Sequence, residues 1–384
     1  MKKQTTINIC IINFLLAVSS TIGMTVIPLI VIDSLGLSLL VLGLIEGVSE
    51  FLSSTIRFYS GFFFDRKENK LELLLYPIYL ALISKLVLLH PNSIMVVATK
   101  FIERLSNGAF GPIRDALVLK LSTKEGKDLS LLNISKSAGC LFGPLIVTFA
   151  LSYKFNIDGL IILCIILCIT AIFIAYVLKK TPLSLNNLEV ENITLRLSDI
   201  KKLKGIYPII LLSFIFFLSR FSDGLIIIFL REIDAPQWIY LSTIGIFNGF
   251  MLLISPIIGT NLDSGKFKWC LIFTFTSMAL FNFTCLHIAE ANILLIFIAL
   301  FFWGSQRVSS QMTFLYAIKQ NVKQEYLGRA VGIYSLLTGI SILIASFICG
   351  YLAKITFTYI FIYSLIISLI GLVLIITLLI NKKL

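Results

Sequence analysis

Charge is what this sequence lacks most. Only 14% of its 384 residues are Asp, Glu, Lys or Arg and 58% are hydrophobic, whereas a soluble domain carries about 25% charged residues. That balance excludes a soluble globular domain and a disordered chain, which needs low hydrophobicity. Histidine occurs only at His90 and His287, and no His or Cys spacing suited to a zinc site is present, so the residues for a catalytic centre are missing. No cofactor is implied. The seven cysteines are scattered through apolar runs, which gives no disulfide framework; Cys164 and Cys168, one helical turn apart, read as lipid-facing or packing residues. Acids are outnumbered, 20 against 32 Lys and Arg, but the basic residues form no aromatic-interleaved patch, so nucleic acid is not the partner.

What the sequence has instead is long apolar runs. A membrane-spanning helix needs about 20 mainly apolar residues, and that criterion gives twelve spans near 7–32, 37–64, 71–89, 93–118, 129–152, 159–178, 206–230, 237–259, 269–288, 292–318, 328–353 and 359–380. The reading is an all-α polytopic protein in a lipid bilayer. The basic start and apolar run of "MKKQTTINICIINFLLAVSS" resemble a signal peptide, yet the run continues to about Ile32 and reads as an uncleaved first span. Of the 32 Lys and Arg, 21 fall in alternate connections and at both termini, against Lys154, Arg231 and Lys354 on the other side. The positive-inside rule therefore places both termini in the cytoplasm.

The polar stretch "KKTPLSLNNLEVENITLRLSDIKKLKG" separates the sixth span from the seventh. It divides the chain into a six-helix bundle at 1–180, a cytoplasmic central loop at 181–205 and a second six-helix bundle at 206–384. The halves repeat weakly: "GFFFDRKENK" after the second span and "GTNLDSGKFK" after the eighth carry Gly61 and Asp65 against Gly259 and Asp263, 198 residues apart. Duplicated halves are a transporter signature.

Eight basic residues lie inside spans: Arg57, Lys85, Lys100, Arg104, Arg114, Lys136, Arg220 and Arg307. An ionisable side chain in a bilayer faces a protein interior or a water-filled cavity, although Lys85 and Arg114, near span ends, are placed to snorkel. Glu46 and Glu50, at i and i+4, share one face of the second span near mid-bilayer. Two carboxylates so close favour holding a proton between them, a device for proton coupling, or else they pair with a neighbouring Arg to fix packing. In the fourth span Lys100 and Arg104 share a face, with Glu103 one step off it; this cation pair suits an anionic solute or serves as counter-ions for the two glutamates. Arg220 and Asp223 stand i, i+3 in the seventh span and Arg307 lies mid-span in "WGSQRVSSQ". Guanidinium groups recognise carboxylate or phosphate bidentately, while a self-neutralising Arg220 and Asp223 pair is the alternative.

The motif "GFFFDRKENK", with "RLSNGAFG" in the fourth span and "GCLFGP" in the fifth, resembles the major facilitator superfamily of secondary transporters. Glu68 stands where the first motif usually has Gly, and the glycines of an antiporter motif do not continue after Pro144. "EGVSE", "GPIRDAL", "SRFSDG" and "GRAVGIYSLLTGISILIAS" are similar to a bacterial group of that superfamily with mostly unassigned substrates. The resemblance implies a bacterial inner-membrane transporter working as a monomer by alternating access, with protons as coupling ion. It implies that spans one, four, seven and ten line the cavity, placing Arg104, Arg220 and Arg307 around one site for an anionic or zwitterionic solute, with Lys100 and Asp223 beside them. It also implies a cytoplasmic gate formed by Gly61, Asp65, Arg66 and Asp263, extended by Arg114 and Asp115, whose carboxylates sit against helix N-termini. A proton-driven multidrug efflux antiporter and a ligand-sensing, transporter-like receptor remain as alternatives.

Overall fold

The computed structural model describes residues 2–30, 38–66, 71–89, 92–121, 125–179, 207–288, 292–321 and 327–380. The central loop lies outside them, as do the side chains of 61–66, Asp115 and 328–329. The described residues are helical with no strand: α1 (Lys2–Leu29), α2 (Leu39–Arg66), α3 (Leu75–Leu88), α4 (Ser93–Leu121), α5 (Glu125–Ser152), α6 (Ile157–Lys179), α7 (Tyr207–Leu218), α8 (Asp223–Glu232), α9 (Gln237–Asp263), α10 (Phe267–Leu286), α11 (Ile293–Asn321), α12 (Leu327–Ile355) and α13 (Phe357–Ile380).

Each predicted span has its helix, and the seventh has two. Ten spans qualify by length and hydropathy alone. The third does not because α3 has 14 residues, and the fourth does not because α4 carries Lys100, Glu103, Arg104 and Arg114. Only packing against protein makes α4 tolerable in a bilayer. The two repeated motifs close helices of matching length, α2 with 28 residues and α9 with 27.

The chain forms two compact units, one of residues 1–37, 48–192 and 237–245, the other of 38–47, 193–236 and 246–384. In the first, α1 packs against α5 and α6, and α3 against α4 and α6. Helices come close there because small residues line the contacts: a Cβ on Gly143 would lie 2.1 Å from Thr21 Oγ1, and one on Gly139 would lie 2.6 Å from Ala17 Cβ. Cys164 and Cys168 are buried against Ser19 of α1, which makes them packing residues. Within the second unit, α10 packs on α11 and α13, α7 packs on α12 and α13, and the interior is dense in aromatic rings. Phe221 sits among Trp303, Phe281 and Phe361 with ring centroids 5.2 to 6.0 Å away.

Candidate functional site

The seventh span is broken at its centre. Helix α7 ends at Leu218, and Ser219 to Phe221 leave helical geometry. At Ser222 the backbone is extended, and its Oγ accepts the Gly224 amide at 3.1 Å to start α8. A Ser before Asp-Gly is a helix-start signal, so "SRFSDG" announced the break; the surrounding apolar run concealed it.

The break decides what Arg220 and Asp223 do. No helix face joins them, so the expected i, i+3 pairing along one helix is absent. Asp223, at the first position of α8, instead accepts hydrogen bonds from the Arg307 guanidinium and, at 3.1 Å, from Trp303 Nε1 of α11. Arg220 stays within electrostatic reach of the same carboxylate and lies over the Phe217 ring at 5.8 Å. Arg307 stands over the Phe247 ring at 5.1 Å. One carboxylate between two guanidiniums, walled by aromatic faces, thus occupies the middle of a membrane-spanning segment. An acidic group competing with Asp223 would find guanidinium donors already oriented.

The first unit holds a related arrangement. Lys85 Nζ of α3 lies 3.0 Å from Glu103 Oε2 of α4, with side chains only 2% and 6% exposed. Lys100, itself buried, adds its charge to the same carboxylate. Ser19, Ser20 and Asn107 line a cavity of about 10 Å³ beside the pair, room for about one water. Lys85 does not snorkel, because α6 covers it and Glu103 holds it. A Cβ on Gly23 of α1 would lie 2.9 Å from Lys85 Nζ, so that glycine admits the ammonium. Sequence reading left Glu103 without a role; its signal was three charges within five residues of one helix.

Glu50 pairs with Arg104 at 2.9 Å, the side chains 30% and 16% exposed. That is the counter-ion arrangement weighed from the sequence. Glu46 is buried on the same helix. Arg114 also fails to snorkel: it is buried and donates to Asn13 Oδ1 of α1, while Asn13 Nδ2 donates to Leu132 O and Ser135 Oγ of α5 at 2.9 and 2.8 Å. This links α1, α4 and α5. Of the other expected gate residues, Asp263 is the exposed last residue of α9. Gly61, Asp65 and Arg66 belong to the C-terminal end of α2 and Asp115 to α4, with side chains outside the described set. Arg57 and Lys136 are exposed.

Comparison with known proteins agrees with this architecture. The family described as Major Facilitator Superfamily matches residues 9–318. An uncharacterized MFS-type transporter of Methanocaldococcus jannaschii is 25% identical over 374 residues, covering 94% of this chain and 91% of its own. Among solved structures, a POT family transporter in complex with 5-aminolevulinic acid aligns with a TM-score of 0.81 at 12% identity, over 98% of this chain and 96% of that one. The nucleoside transporter NupG aligns at 0.79 and 12%, over 99% of each. The last two likenesses establish the fold alone. With the family match over most of the length and helices arranged as in transporters, the chain belongs to the Major Facilitator Superfamily: it is a multi-pass membrane protein and a secondary transporter, not an enzyme.

Proposed function

We propose that this transporter moves a small organic solute with an acidic group, an anion or a zwitterion, by alternating access coupled to protons. The observation that carries the reading is Asp223 held between Arg307 and Arg220 at a break in a spanning helix. A solute carboxylate or phosphate takes the place of Asp223 on the guanidiniums. That exchange makes the site sensitive to solute and keeps the guanidiniums paired, since a bare guanidinium in a low-dielectric interior would cost several kcal/mol. Cations also outnumber acids at the buried and part-buried span positions named above: Lys85, Lys100, Arg104, Arg114, Arg220 and Arg307 against Glu46, Glu50, Glu103 and Asp223. The POT family structure with 5-aminolevulinic acid is a fold relative holding a small zwitterion, which is compatible with this class.

Protons enter through Glu46 and Glu50. Protonating Glu50 would release Arg104 from its ion pair, making one guanidinium available in step with the pH gradient. Arg104 and Lys100 in the first unit, and Arg220 and Arg307 in the second, are the cations that bind solute. Gly61, Asp65, Arg66, Asp263, Arg114 and Asp115 form the cytoplasmic gate. The protein works as a monomer in a bacterial inner membrane, and the distribution of basic residues supports both termini lying inside.

The test is reconstitution into liposomes holding a pH-sensitive dye, presented with panels of organic anions, zwitterions and cationic drugs. Proton movement with an acid-bearing solute, abolished by Glu46→Gln/Glu50→Gln, supports the reading. Proton movement driven only by cationic drugs assigns the protein to multidrug antiport. Solute binding without translocation assigns it to sensing.

A further inference from the structure

A broken helix in a bilayer exposes carbonyls that must find partners inside the protein, since lipid offers none. Ile215 O and Phe216 O both take the Ser219 amide, and Phe217 O takes that of Arg220. Next along the chain come Leu218 O and Ser219 O. Both are satisfied from α13, the last span: Tyr363 Oη donates to Leu218 O at 3.2 Å, and Ser364 Oγ donates to Ser219 O at 2.5 Å. Ser364 Oγ in turn accepts from Asn282 Nδ2 of α10 at 2.8 Å. Ser219, Asn282 and Ser364 are all fully buried.

We propose that Tyr363, Ser364 and Asn282 are positioning residues. They pin the break at residues 218–219, and through it they set where Arg220 and Asp223 stand against Arg307 and Trp303. The three act on that cluster through four residues of non-helical backbone, Ser219 to Ser222. A hydroxyl donating to an interhelical carbonyl in an apolar span has no replacement donor when removed, so the break loses its register instead of re-pairing with water. The inference gives Asp223 its meaning as a solute-site residue only if that reading holds, but the positioning itself is measurable with no solute present.

Trp303 is the reporter. Its Nε1 bonds Asp223 and its ring meets Phe221 inside the break. The other tryptophans, Trp238 and Trp269, are 47% and 46% exposed, so Trp238→Phe/Trp269→Phe leaves Trp303 as the sole emitter. In that background Ser364→Ala and Tyr363→Phe are expected to shift Trp303 emission in the direction that Asp223→Asn shifts it. They are also expected to speed deuterium exchange of the 218–222 amides by about tenfold, the loss of one buried hydrogen bond. Ser364→Thr, which keeps the hydroxyl, restores both. Ser368→Ala, one turn along α13, removes a hydroxyl that bonds only its own helix at Leu365 O and leaves both unchanged. Should Ser364→Ala fail to fold, Tyr363→Phe carries the test, because it removes one oxygen from a part-buried side chain. Emission and exchange at the Ser368→Ala level in both variants would overturn the proposal. A shift in both without any effect on transport would leave the positioning intact and count against the solute-site reading.

Discussion

Removing one member of the Asp223 and Arg307 pair should hurt the protein far more than removing both. The side chains are 10% and 18% exposed, so Asp223→Leu strands a guanidinium in a largely dry interior, at a cost of about 3–5 kcal/mol. Trp303 Nε1 loses its acceptor as well, adding about 1 kcal/mol. The compact unit involved has roughly 190 residues, for which each kcal/mol moves the melting temperature by about 2–3 °C. The predicted fall for Asp223→Leu is therefore about 8–18 °C. In Asp223→Leu/Arg307→Met the volume is filled by apolar atoms and the Arg307 charge goes with the carboxylate, Arg220 alone losing Asp223 as a neighbour, so stability returns to within about 2 kcal/mol of wild type. Fluorescence-detected thermal melts in detergent read this directly. If Asp223→Leu melts with the wild type, or the double variant melts as low as the single, the pair is not the buried, coupled unit described here.

Glycines offer a paired test. Gly143→Ala places a Cβ 2.1 Å from Thr21 Oγ1 and 2.9 Å from Val18 O, and should destabilise by about 1–3 kcal/mol, seen as a lower melting temperature; Gly111→Ala, with open space around the new Cβ, should stay within about 0.5 kcal/mol. Glu103→Gln should lower thermal stability by about 3–5 kcal/mol by stranding Lys85, and Lys85→Met/Glu103→Leu should recover most of it. Glu50→Gln, whose side chain is 30% exposed and paired with Arg104, should cost only about 0.2–1 kcal/mol while removing the pH dependence of transport in liposomes. A loss of stability as large as that of Glu103→Gln would make Glu50 a packing residue.

The helices were legible because lipid imposes a simple rule on composition, and ten of the twelve runs obey it closely. The boundaries of α9 and α13 differ from the sequence reading by four residues or fewer at either end. What escaped was the three-dimensional choice of partner. Lys85 and Arg114 sit near span ends in sequence, which favours snorkelling, but a polar partner from a helix distant in the chain, Glu103 or Asn13, captures each. Arg220 and Asp223 have the spacing of a helical pair, yet a Ser cap interrupts the helix between them and hands Asp223 to Arg307, 84 residues away. Tyr363, Ser364 and Asn282 gave no signal, because a single hydroxyl or amide in an apolar run is common and its target is a backbone atom that no sequence pattern marks. Charged residues thus marked the candidate site, and tertiary packing decided how they combine.

The most direct test of the central claim is uptake into proteoliposomes of radiolabelled acid-bearing solutes, drawn from a panel of carboxylates, phosphates and zwitterions, comparing wild type with the folded Asp223→Leu/Arg307→Met variant. Saturable uptake by the wild type that responds to a pH gradient, and is lost in a variant of near-native stability, is the predicted result. Undiminished uptake in that variant, or a wild type that moves only cationic compounds, would contradict it.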